Sequence, residues 1–487
     1  MPPIYLFLTL WGLKYTDYFV NYCIPSLLSK GNIPSVINPK NRFLIACPER
    51  EWNLLQKKET FINLKKFIKV QQLKIEYPKK NEIACEYMGK GHLIATNLCF
   101  ENKALGVALT PDLILSDSCL NEVKKSYFKG KDTLLLAAVR FEKENFFKNL
   151  NKYFKSFNKK MTTQDISSRV LTKIVIQSLH SQARYYLESN KNIIFGSQIP
   201  TMIFHGIKKN DLILHNMSWM PLFINYAKIK KHDTSAIENS TLDADYLSKN
   251  FHDYSKIEVI SDSDKAMVVS WCDRNEGVIP ENNSILFRFI KKYPTLLNKL
   301  KMIVFRANAA SNYFDNMKRH FLSTPIFFHS DGIDNQLKKK SEKTKIQVDL
   351  QFSIIEKIFL RFLIALEQSY AFFYRGTNKN QKTGESLPPP KYPFYKYFKL
   401  YLRGFFLRDK DSWIKATNKY YELKKKIIEN IEAKRKNPSK KNYSFLYFLS
   451  ATTLGFFIIH LFIIFLSIFV YFLQLFRELR IFFKSKY

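Results

Sequence analysis

Residues 4–48 read IYLFLTLWGLKYTDYFVNYCIPSLLSKGNIPSVINPKNRFLIACP, and they are the clearest guide to the fold class. Two short runs at the ends of this stretch, Ile4–Leu10 and Arg42–Pro48, have the length and composition of buried strands. Between them, Tyr15–Leu28 has apolar residues at helical spacing, and the Gly, Asn and Pro residues of Ser29–Asn41 predict a loop. A strand, a helix and a second strand in this order are typical of a parallel α/β sheet.

The alternation of short strands and amphipathic helices continues as far as residue 140. Further strands are predicted at Gln71–Tyr77, Ala104–Leu115 and Thr133–Val139, and helices at Glu51–Lys57, Phe61–Ile68, Asn81–Asn97 and Leu120–Lys129. Phe146–Asn190 is then mainly helical, and strand-like runs follow at Ile193–Ile207, Leu212–Ala227, Ile257–Ile260 and Val268–Trp271. We therefore expect an α/β fold with a mostly parallel sheet flanked by helices.

The C-terminal part contains a long stretch without charge. From Asn442 to Phe476 there is no Asp, Glu, Lys or Arg, and basic clusters lie on both sides. A membrane-spanning helix needs about 20 apolar residues, so residues 442–476 predict one transmembrane helix, followed by a basic tail at 477–487. The alternative is a buried hairpin of core helices.

These features predict a domain organisation and a location. We expect an α/β domain at 1–275 and a helical, basic, membrane-proximal region at 276–441, before the transmembrane helix. The first residues lack the basic start and the cleavage site of a signal peptide, and we interpret them as a strand. The expected location is the cell membrane, with a single C-terminal anchor and a cytoplasmic main body.

The chain is strongly basic. It has 77 Lys and Arg residues against 42 Asp and Glu, a net charge of +35. Such a balance favours nucleic acid or an anionic membrane as a partner, although an AT-rich coding bias also raises the number of lysines. The sequence has no zinc-finger spacing or other nucleic-acid motif. The densest basic run directly precedes the uncharged stretch, so we expect an anionic membrane and not nucleic acid.

The six cysteines are scattered, and no two of them form a C-x-x-C pair. They indicate small core residues in a reducing compartment, not a disulfide or zinc framework.

Acidic residues follow one of the apolar runs, in TPDLILSDS. Asp112 and Asp117 therefore lie where an open α/β sheet binds its ligands, beyond the carboxyl ends of strands. Carboxylates at such a place can bind Mg²⁺ or Mn²⁺ held against a diphosphate. For Asp117 the alternative is a helix N-cap, because it precedes the predicted helix Leu120–Lys129.

Two D-x-D pairs occur later in the chain, Asp243 with Asp245 in STLDADY and Asp262 with Asp264 in VISDSDK. Two carboxylates at this spacing can chelate one cation from a turn, and the alternative for each pair is a solvated turn.

Three histidines, His92, His180 and His215, are near these segments in the sequence. Each can supply a metal ligand or bind phosphate, or can be an ordinary structural histidine.

The stretch LWGLKYTDYFVNYCIPSLLSKGNIPSV resembles the start of a family of bacterial glycosyltransferase-like proteins. Further similar segments follow in the same order: RFLIACPER, Tyr87–His92, PDLILSDSCL, the Gly130-Lys131 turn, LLLAAVR ending in Arg140, Leu179–Ser181, LHNMSWMPLFI, STLDADY and VISDSDKAMVVSW. The resemblance covers roughly residues 4 to 272, and the family in turn resembles the nucleotide-diphospho-sugar transferase (GT-A-like) fold.

This resemblance implies a membrane-anchored glycosyltransferase that moves a sugar from a nucleotide-sugar donor to a cell-envelope or lipid-linked glycan acceptor. It implies donor binding by Trp11, Tyr15, His92, Asp112 and Arg140, a divalent metal (Mn or Mg) on Asp117 and His215, and catalysis by Asp243, Asp245 and Asp262. The turn at Asp117 reads Asp-Ser-Cys, so the second metal-binding aspartate of the family is missing. One alternative is therefore a catalytically inactive, anchored scaffold or sugar-binding protein, and a second is a polyanion or nucleic-acid binder.

Overall fold

The computed structural model describes residues 1–79, 82, 84–157, 161–191, 199–238, 241–276, 292–310, 316–351 and 465. The described residues up to Gln351 form one compact unit. The predicted transmembrane helix at 442–476 lies outside the described residues, except for Phe465. Among the residues that are described, no helix is both long and apolar enough to cross a membrane.

The described residues form a mixed α/β structure, so the predicted fold class is confirmed at this level. The strands are β1 Ile4–Thr9, β2 Arg42–Cys47, β3 Lys69–Lys74, β4 Leu105–Ala108, β5 Leu113–Leu115, β6 Thr133–Ala137, β7 Arg140–Glu142, β8 Thr201–His205, β9 Asp211–Asn216, β10 Trp219–Asn225, β11 Ile257–Val259, β12 Val268–Cys272 and β13 Ile326–His329.

The helices lie between these strands and after them. They are α1 Leu13–Tyr18, α2 Ile24–Leu27, α3 Glu49–Gln56, α4 Glu59–Leu64, α5 Ala84–Glu101, α6 Cys119–Phe128, α7 Lys143–Lys155, α8 Ser168–Ile176, α9 Ser181–Tyr185, α10 Ala244–Asn250, α11 Pro294–Ala310, α12 Asn316–His320 and α13 Asn335–Val348. A π-helical turn, Phe19–Cys23, joins α1 to α2, and short 3₁₀ turns occur at Ile33–Val36, Thr163–Asp165, Tyr226–Lys228 and Tyr254–Lys256.

The central sheet has seven strands in the order β11-β6-β10-β4-β1-β2-β3. All neighbouring pairs are parallel except the two that involve β10. Strand β1 is covered on both faces, as the strands of parallel sheets usually are. Its residues Ile4, Leu6 and Leu8 belong to the core that includes Phe19 of the π-helical turn. On the other face, Phe7 contacts a histidine ring of α5.

Strand β10 runs antiparallel between β4 and β6. The sequence predicts one strand-like run at Leu212–Ala227, but the run is interrupted at Met217 and Ser218 and forms two strands, β9 and β10, which belong to different sheets. The pairing of β10 with β6 is irregular between Pro221 and Phe223, where proline lacks a backbone N–H.

Two three-stranded sheets complete the unit, in the orders β5-β12-β7 and β13-β9-β8. Strand β13 lies in the region that the sequence predicts to be helical, and it pairs with β9 of the predicted α/β domain. The compact unit therefore extends past residue 275. The predicted boundary between the first two domains stays a prediction, as do the assignments beyond Gln351.

The loop after α2 supports the turn that follows β5. The side chain of Asn32 donates to the carbonyl oxygen of Ser116 (2.9 Å) and accepts the backbone N–H of Leu120 (3.1 Å). Gly31 lies so close that a Cβ atom added to it would be 2.1 Å from the backbone oxygen of Asp117. The absence of a side chain at Gly31 therefore allows this loop to hold the Asp117 turn.

Replacing Gly31 by alanine is expected to lower the free energy of unfolding by about 1–3 kcal/mol, because two backbone segments must move apart. Urea unfolding of the full chain measures this loss. The matched control is Lys30→Ala, which removes an exposed side chain from the adjacent position. Equal stability of the two variants would contradict the close packing of Gly31 on the Asp117 turn.

Candidate functional site at the carboxyl edge of the sheet

The order of the central strands reverses at β1. The chain continues from β1 to β2 and β3 on one side, and then returns to place β4 on the other side. In open α/β sheets, ligands bind beyond the carboxyl ends of the strands at such a reversal. The residues that follow β1 and β4 at this edge include Trp11 and Asp112. We call the group formed by Trp11, Tyr15 and Asp112 the switch-point site.

Two aromatic rings line one part of the switch-point site. The ring centroids of Trp11 and Tyr15 are 6.0 Å apart, and the Trp11 ring also meets the Tyr87 ring of α5 edge to face at 4.8 Å. Trp11 and Tyr15 are both partly exposed. A flat ligand group can therefore reach these rings from solvent.

Asp112 lies next to Tyr15. Burial raises the pKa of Asp112, and the negative charge of Glu276 adds to this effect while Lys14 opposes it. Burial likewise raises the pKa of Tyr15, with the charge of Asp112 as the next cause. The switch-point site therefore contains a partly exposed carboxylate, an aromatic ring and a nearby ammonium group.

Charged side chains form the rim of this site. Arg140 at the start of β7 lies 3.8 Å from the carboxylate of Glu276, and Lys14 lies 3.4 Å from that of Asp273. Lys143 of α7 also pairs with Asp273. Four of the five predicted donor-binding residues thus belong to one region of the structure, with Arg140 connected to the others through Glu276.

Glu51 of α3 is a further residue at this edge that the sequence did not single out. Its side chain is fully buried, and Oε1 accepts the backbone N–H of Gly12 (3.3 Å) and the hydroxyl of Tyr77. Its other oxygen, Oε2, has no hydrogen-bond partner in the described part of the chain. A buried carboxylate oxygen without a partner is energetically costly. The signal in the sequence was an acidic residue shortly after the predicted strand Arg42–Pro48.

His92, the fifth predicted donor-binding residue, lies deeper in the fold. Its ring packs edge to face on Phe7 at 5.9 Å, and Nδ1 accepts the backbone N–H of Leu242 (3.2 Å). Burial lowers the pKa of His92 to about 4. These contacts are those of a structural histidine between α5 and β1, and a role in donor binding stays a prediction.

Asp117 is exposed in the turn between β5 and α6. The N-cap residue of α6 is Ser118, so the alternative prediction that Asp117 caps this helix is wrong. Burial raises the pKa of Asp117, although its own backbone N–H and that of Ser168 oppose the rise. The Asp117 carboxylate thus faces the first residue of a different helix, α8.

Asp262 belongs to a group of possible metal ligands after β11. Ligand atoms of Asp262, Asp264 and His329 lie within 4.8 Å of one another, and these residues could hold a metal ion. We call them the β11 triad. The sequence singled out the Asp262–Asp264 pair but not His329, which belongs to β13 and is distant in the chain. Because β11 is parallel to β6, the triad lies at the carboxyl end of the same sheet.

The β11 triad is already hydrogen-bonded. His329 Nδ1 accepts the backbone N–H of Gly332 (3.0 Å), so the ring proton lies on Nε2, which donates to Asp262 (2.8 Å). Burial would raise the pKa of Asp262, but the bonds from His329 and from the N–H of Asp264 outweigh it and lower the pKa. Arg169 of α8 binds the Asp264 carboxylate through Nη2 (2.7 Å) and Nε. A cation would therefore compete with a proton and a guanidinium group.

His215 lies elsewhere, in β9. Its Nδ1 is 2.9 Å from the carbonyl oxygen of Leu322, and its Nε2 is 3.0 Å from the hydroxyl of Thr344. Both ring nitrogens are therefore used in contacts that join β9 to its neighbours. Neither His215 nor Asp117 belongs to a group of three or more metal-ligating side chains within the described ranges. Their roles as metal ligands stay predictions.

The first D-x-D pair lies at the start of a helix. Asp243 is the N-cap of α10, and its side chain accepts the backbone N–H of Asp245 (2.8 Å). Asp245 is exposed and pairs with Lys318 of α12. Burial raises the pKa of Asp243, and the charge of Asp245 adds to the rise. These contacts match the alternative of a local turn, and the catalytic role of both residues stays a prediction.

Two buried histidines predict a loss of stability in acid. Burial lowers the pKa of both His92 and His215 to about 4. Between the unfolded value of about 6.5 and this lowered value, the unfolded chain binds more protons, so stability falls as the pH falls. Each histidine is expected to contribute about 2 kcal/mol of this loss by pH 5.

Urea unfolding at pH 7 and pH 5 tests this expectation. The His215→Gln variant should lose less stability between the two pH values than the native protein. His252 is exposed, so His252→Gln is the matched control and should behave as the native protein does. The same acid loss in all three proteins would show that His215 is not buried in its neutral form.

No protein-family model matches this chain, and a comparison with curated proteins gives no significant match.

Proposed function

We propose that this protein is a glycosyltransferase that takes a sugar from a nucleotide-sugar donor. The main support is the switch-point site, where Trp11, Tyr15 and Asp112 lie together at the reversal of strand order. This is the place where open α/β sheets bind nucleotides. A mostly parallel sheet flanked by helices is also what the sequence resemblance to GT-A-like proteins implies.

The residues of the site suit the parts of a nucleotide-sugar. The rings of Trp11 and Tyr15 offer faces on which a base can stack. The carboxylate of Asp112 can accept hydrogen bonds from base N–H groups and ribose hydroxyls. The guanidinium of Arg140 can bind a phosphate oxygen.

The proposed general base is Asp262, which would accept the proton of the acceptor hydroxyl. It lies after β11, at the same edge of the sheet as the switch-point site. Its lowered pKa keeps the carboxylate ionised at neutral pH but also makes it a weaker proton acceptor. Asp243 and Asp245 are weaker candidates because one caps α10 and the other pairs with Lys318.

In a metal-dependent reaction the β11 triad would instead hold a divalent metal, with Asp262 as a ligand and not as the base. Two carboxylates suit Mg²⁺ or Mn²⁺, and the imidazole of His329 favours Mn²⁺ of the two. A bound metal would supply positive charge against the leaving diphosphate. Binding through His329 Nε2 would require the ring proton to move to Nδ1, and Nδ1 would then no longer accept the backbone N–H of Gly332.

Mn²⁺ is expected to raise the melting temperature of the native chain, and the Asp262→Asn variant should lose this response. Metal that binds only the native state, at 100 times its Kd, stabilises it by about 2.7 kcal/mol. Differential scanning fluorimetry with and without Mn²⁺ measures the shift. The matched control is Asp17→Asn, an exposed aspartate of α1. The same Mn²⁺ response in Asp262→Asn would contradict a metal site at the β11 triad.

The proposed function is tested with a panel of nucleoside diphosphates and nucleotide sugars, each with and without Mn²⁺, added to the full chain. A selective rise in melting temperature for one nucleotide, followed by transfer or hydrolysis of its sugar, would support the transferase. A flat response from a folded sample would count against it. The proposed acceptor, a cell-envelope or lipid-linked glycan, is then sought with the identified donor.

A non-catalytic nucleotide-sugar binder is the second candidate. Two hydrogen bonds favour a non-catalytic binder: the Arg169 guanidinium donates to Asp264, and His329 Nε2 donates to Asp262. These bonds occupy the oxygen and nitrogen atoms that would otherwise bind a metal. The Asp117 turn also lacks a second aspartate. Tight binding of a nucleotide sugar without turnover, in the presence of Mn²⁺ and candidate acceptors, would identify this function.

A further inference from the structure

Helix α13 is the most basic helix that the structure describes. Its sequence, NQLKKKSEKTKIQV, has five lysines and one acidic residue, Glu342. The helix packs on β9 and α11 through one face. Its opposite face, toward solvent, is the surface of interest.

The burial pattern establishes which residues face outward. The buried residues repeat at helical spacing: Leu337, Ser341, Thr344 and Val348. Lys339, Lys343 and Ile346, spaced by four and three residues, lie on the opposite side and are exposed. The side chain of Ile346 is 74% exposed, a high value for a β-branched aliphatic residue. The outer line of α13 is thus basic with one apolar residue.

The hairpin turn between β8 and β9 lies beside this helix. Lys340 donates to the carbonyl oxygen of Gly206 (3.2 Å), and Lys208 is 4.0 Å from the N-cap residue of α13, Asp334. The turn itself exposes Ile207 and two lysines, Lys208 and Lys209.

The helix and the turn together form one basic surface with two exposed isoleucines. We call this surface the lysine ridge, made of Lys339, Lys343 and Ile346 of α13 with Ile207, Lys208 and Lys209 of the turn.

We propose that the lysine ridge docks the protein on an anionic lipid bilayer. Lysines beside such a surface are attracted by its negative potential, and their long side chains reach the headgroups. An exposed isoleucine among lysines suits the boundary between headgroups and acyl chains, where apolar side chains insert. A nucleic-acid backbone would use the lysines but offers nothing to Ile346. This inference does not depend on the proposed transferase activity.

The position of α13 in the chain agrees with this partner. The helix ends at Val348, and the remaining sequence includes the uncharged stretch at 442–476, which predicts a membrane anchor. An anchored chain would keep the ridge at a high local concentration of lipid, so even a weak surface interaction would be occupied.

Lysine acetylation of the full chain, followed by mass spectrometry, tests the proposal. The chain is incubated with vesicles of phosphatidylcholine containing 30% phosphatidylserine, or with vesicles of phosphatidylcholine alone. The attraction of one lysine to an anionic surface raises the ratio of bound to free lysine about fivefold. A lysine bound at the surface is shielded from the reagent, so we expect Lys339 and Lys343 to be acetylated about fivefold more slowly with the anionic vesicles. Lys66, an exposed lysine after α4 that is not part of the lysine ridge, is the control, and its rate should not change.

A paired substitution tests the apolar contact. Ile346→Asp should remove most of the protection of Lys343, whereas Ile62→Asp, at an exposed isoleucine of α4, should leave it intact. Equal acetylation of the ridge lysines in both kinds of vesicle would overturn the proposal. It would also fall if RNA without vesicles protected these lysines as strongly as the anionic vesicles do, since that outcome favours a nucleic-acid partner.

Discussion

The Asp112→Asn variant is expected to bind the donor nucleotide about 100-fold more weakly than the native protein. Asp112 provides the partly exposed carboxylate of the switch-point site, next to Tyr15. A hydrogen bond to a charged group is worth more than one between neutral groups, and asparagine removes the charge while it keeps the shape. Isothermal titration with the nucleotide found in the panel measures the change.

The matched control for this prediction is Asp17→Asn, which removes an exposed carboxylate from the same helix as Tyr15 and should not alter binding. Unchanged affinity of Asp112→Asn, together with loss of binding in Asp262→Asn, would move the donor site from the switch point to the β11 triad. Loss in both variants would indicate that one nucleotide reaches both places.

The largest loss of stability is expected from Lys301→Met. Lys301 of α11 is 1% exposed, and its ammonium donates to three backbone carbonyl oxygens, those of Tyr185 (2.9 Å), Asn190 (3.3 Å) and Leu187. Methionine keeps the length of the side chain but leaves these buried oxygens without their donor. The cost is expected to be about 3–5 kcal/mol, which is comparable to the stability of many domains.

Urea unfolding of the full chain measures this cost, and Lys299→Met is the control. Lys299 lies two residues earlier on the same helix and is exposed, so its replacement should change stability by less than about 0.5 kcal/mol. A small effect of Lys301→Met would mean that water replaces the ammonium and that the segment after α9 is not held by α11.

The two results would separate the fold from the site. Lys301 joins α11 to the C-terminal end of α9, whereas Asp112 follows β4 at the edge of the central sheet. A variant that loses nucleotide binding at full stability identifies a binding residue. A variant that loses stability, with nucleotide affinity unchanged in its folded fraction, identifies a structural one.

Several strands of the central sheet could be predicted because their side chains form short, continuous apolar runs in the sequence. The runs at Ile4–Leu10, Arg42–Pro48 and Thr133–Val139 correspond to β1, β2 and β6 within two residues at each end. Strands buried on both faces need continuous apolar sequence, which stands out against the polar loops. Short strands leave a weaker signal, and β7 and β13, of three and four residues, were not predicted.

The predicted donor-binding residues of the switch-point site could be proposed from the sequence for a related reason. Trp11 and Asp112 lie just after apolar runs, and the carboxyl ends of parallel strands share one edge of the sheet. Glu51 was missed because an acidic residue near the start of a helix is common, and only its burial with an unpartnered oxygen sets it apart.

Local sequence therefore predicted the α/β class, most of the long strands and the edge of the sheet where a ligand site should lie. Three features are seen only in the tertiary structure. Strand β10 is antiparallel between β4 and β6, and His329 is hydrogen-bonded to Asp262. Both ring nitrogens of His215 contact other parts of the fold. The physical reason is the range of the interactions. Apolar periodicity follows from contacts within an element, whereas the partners of a carboxylate or an imidazole depend on residues that only the complete fold brings within hydrogen-bonding distance.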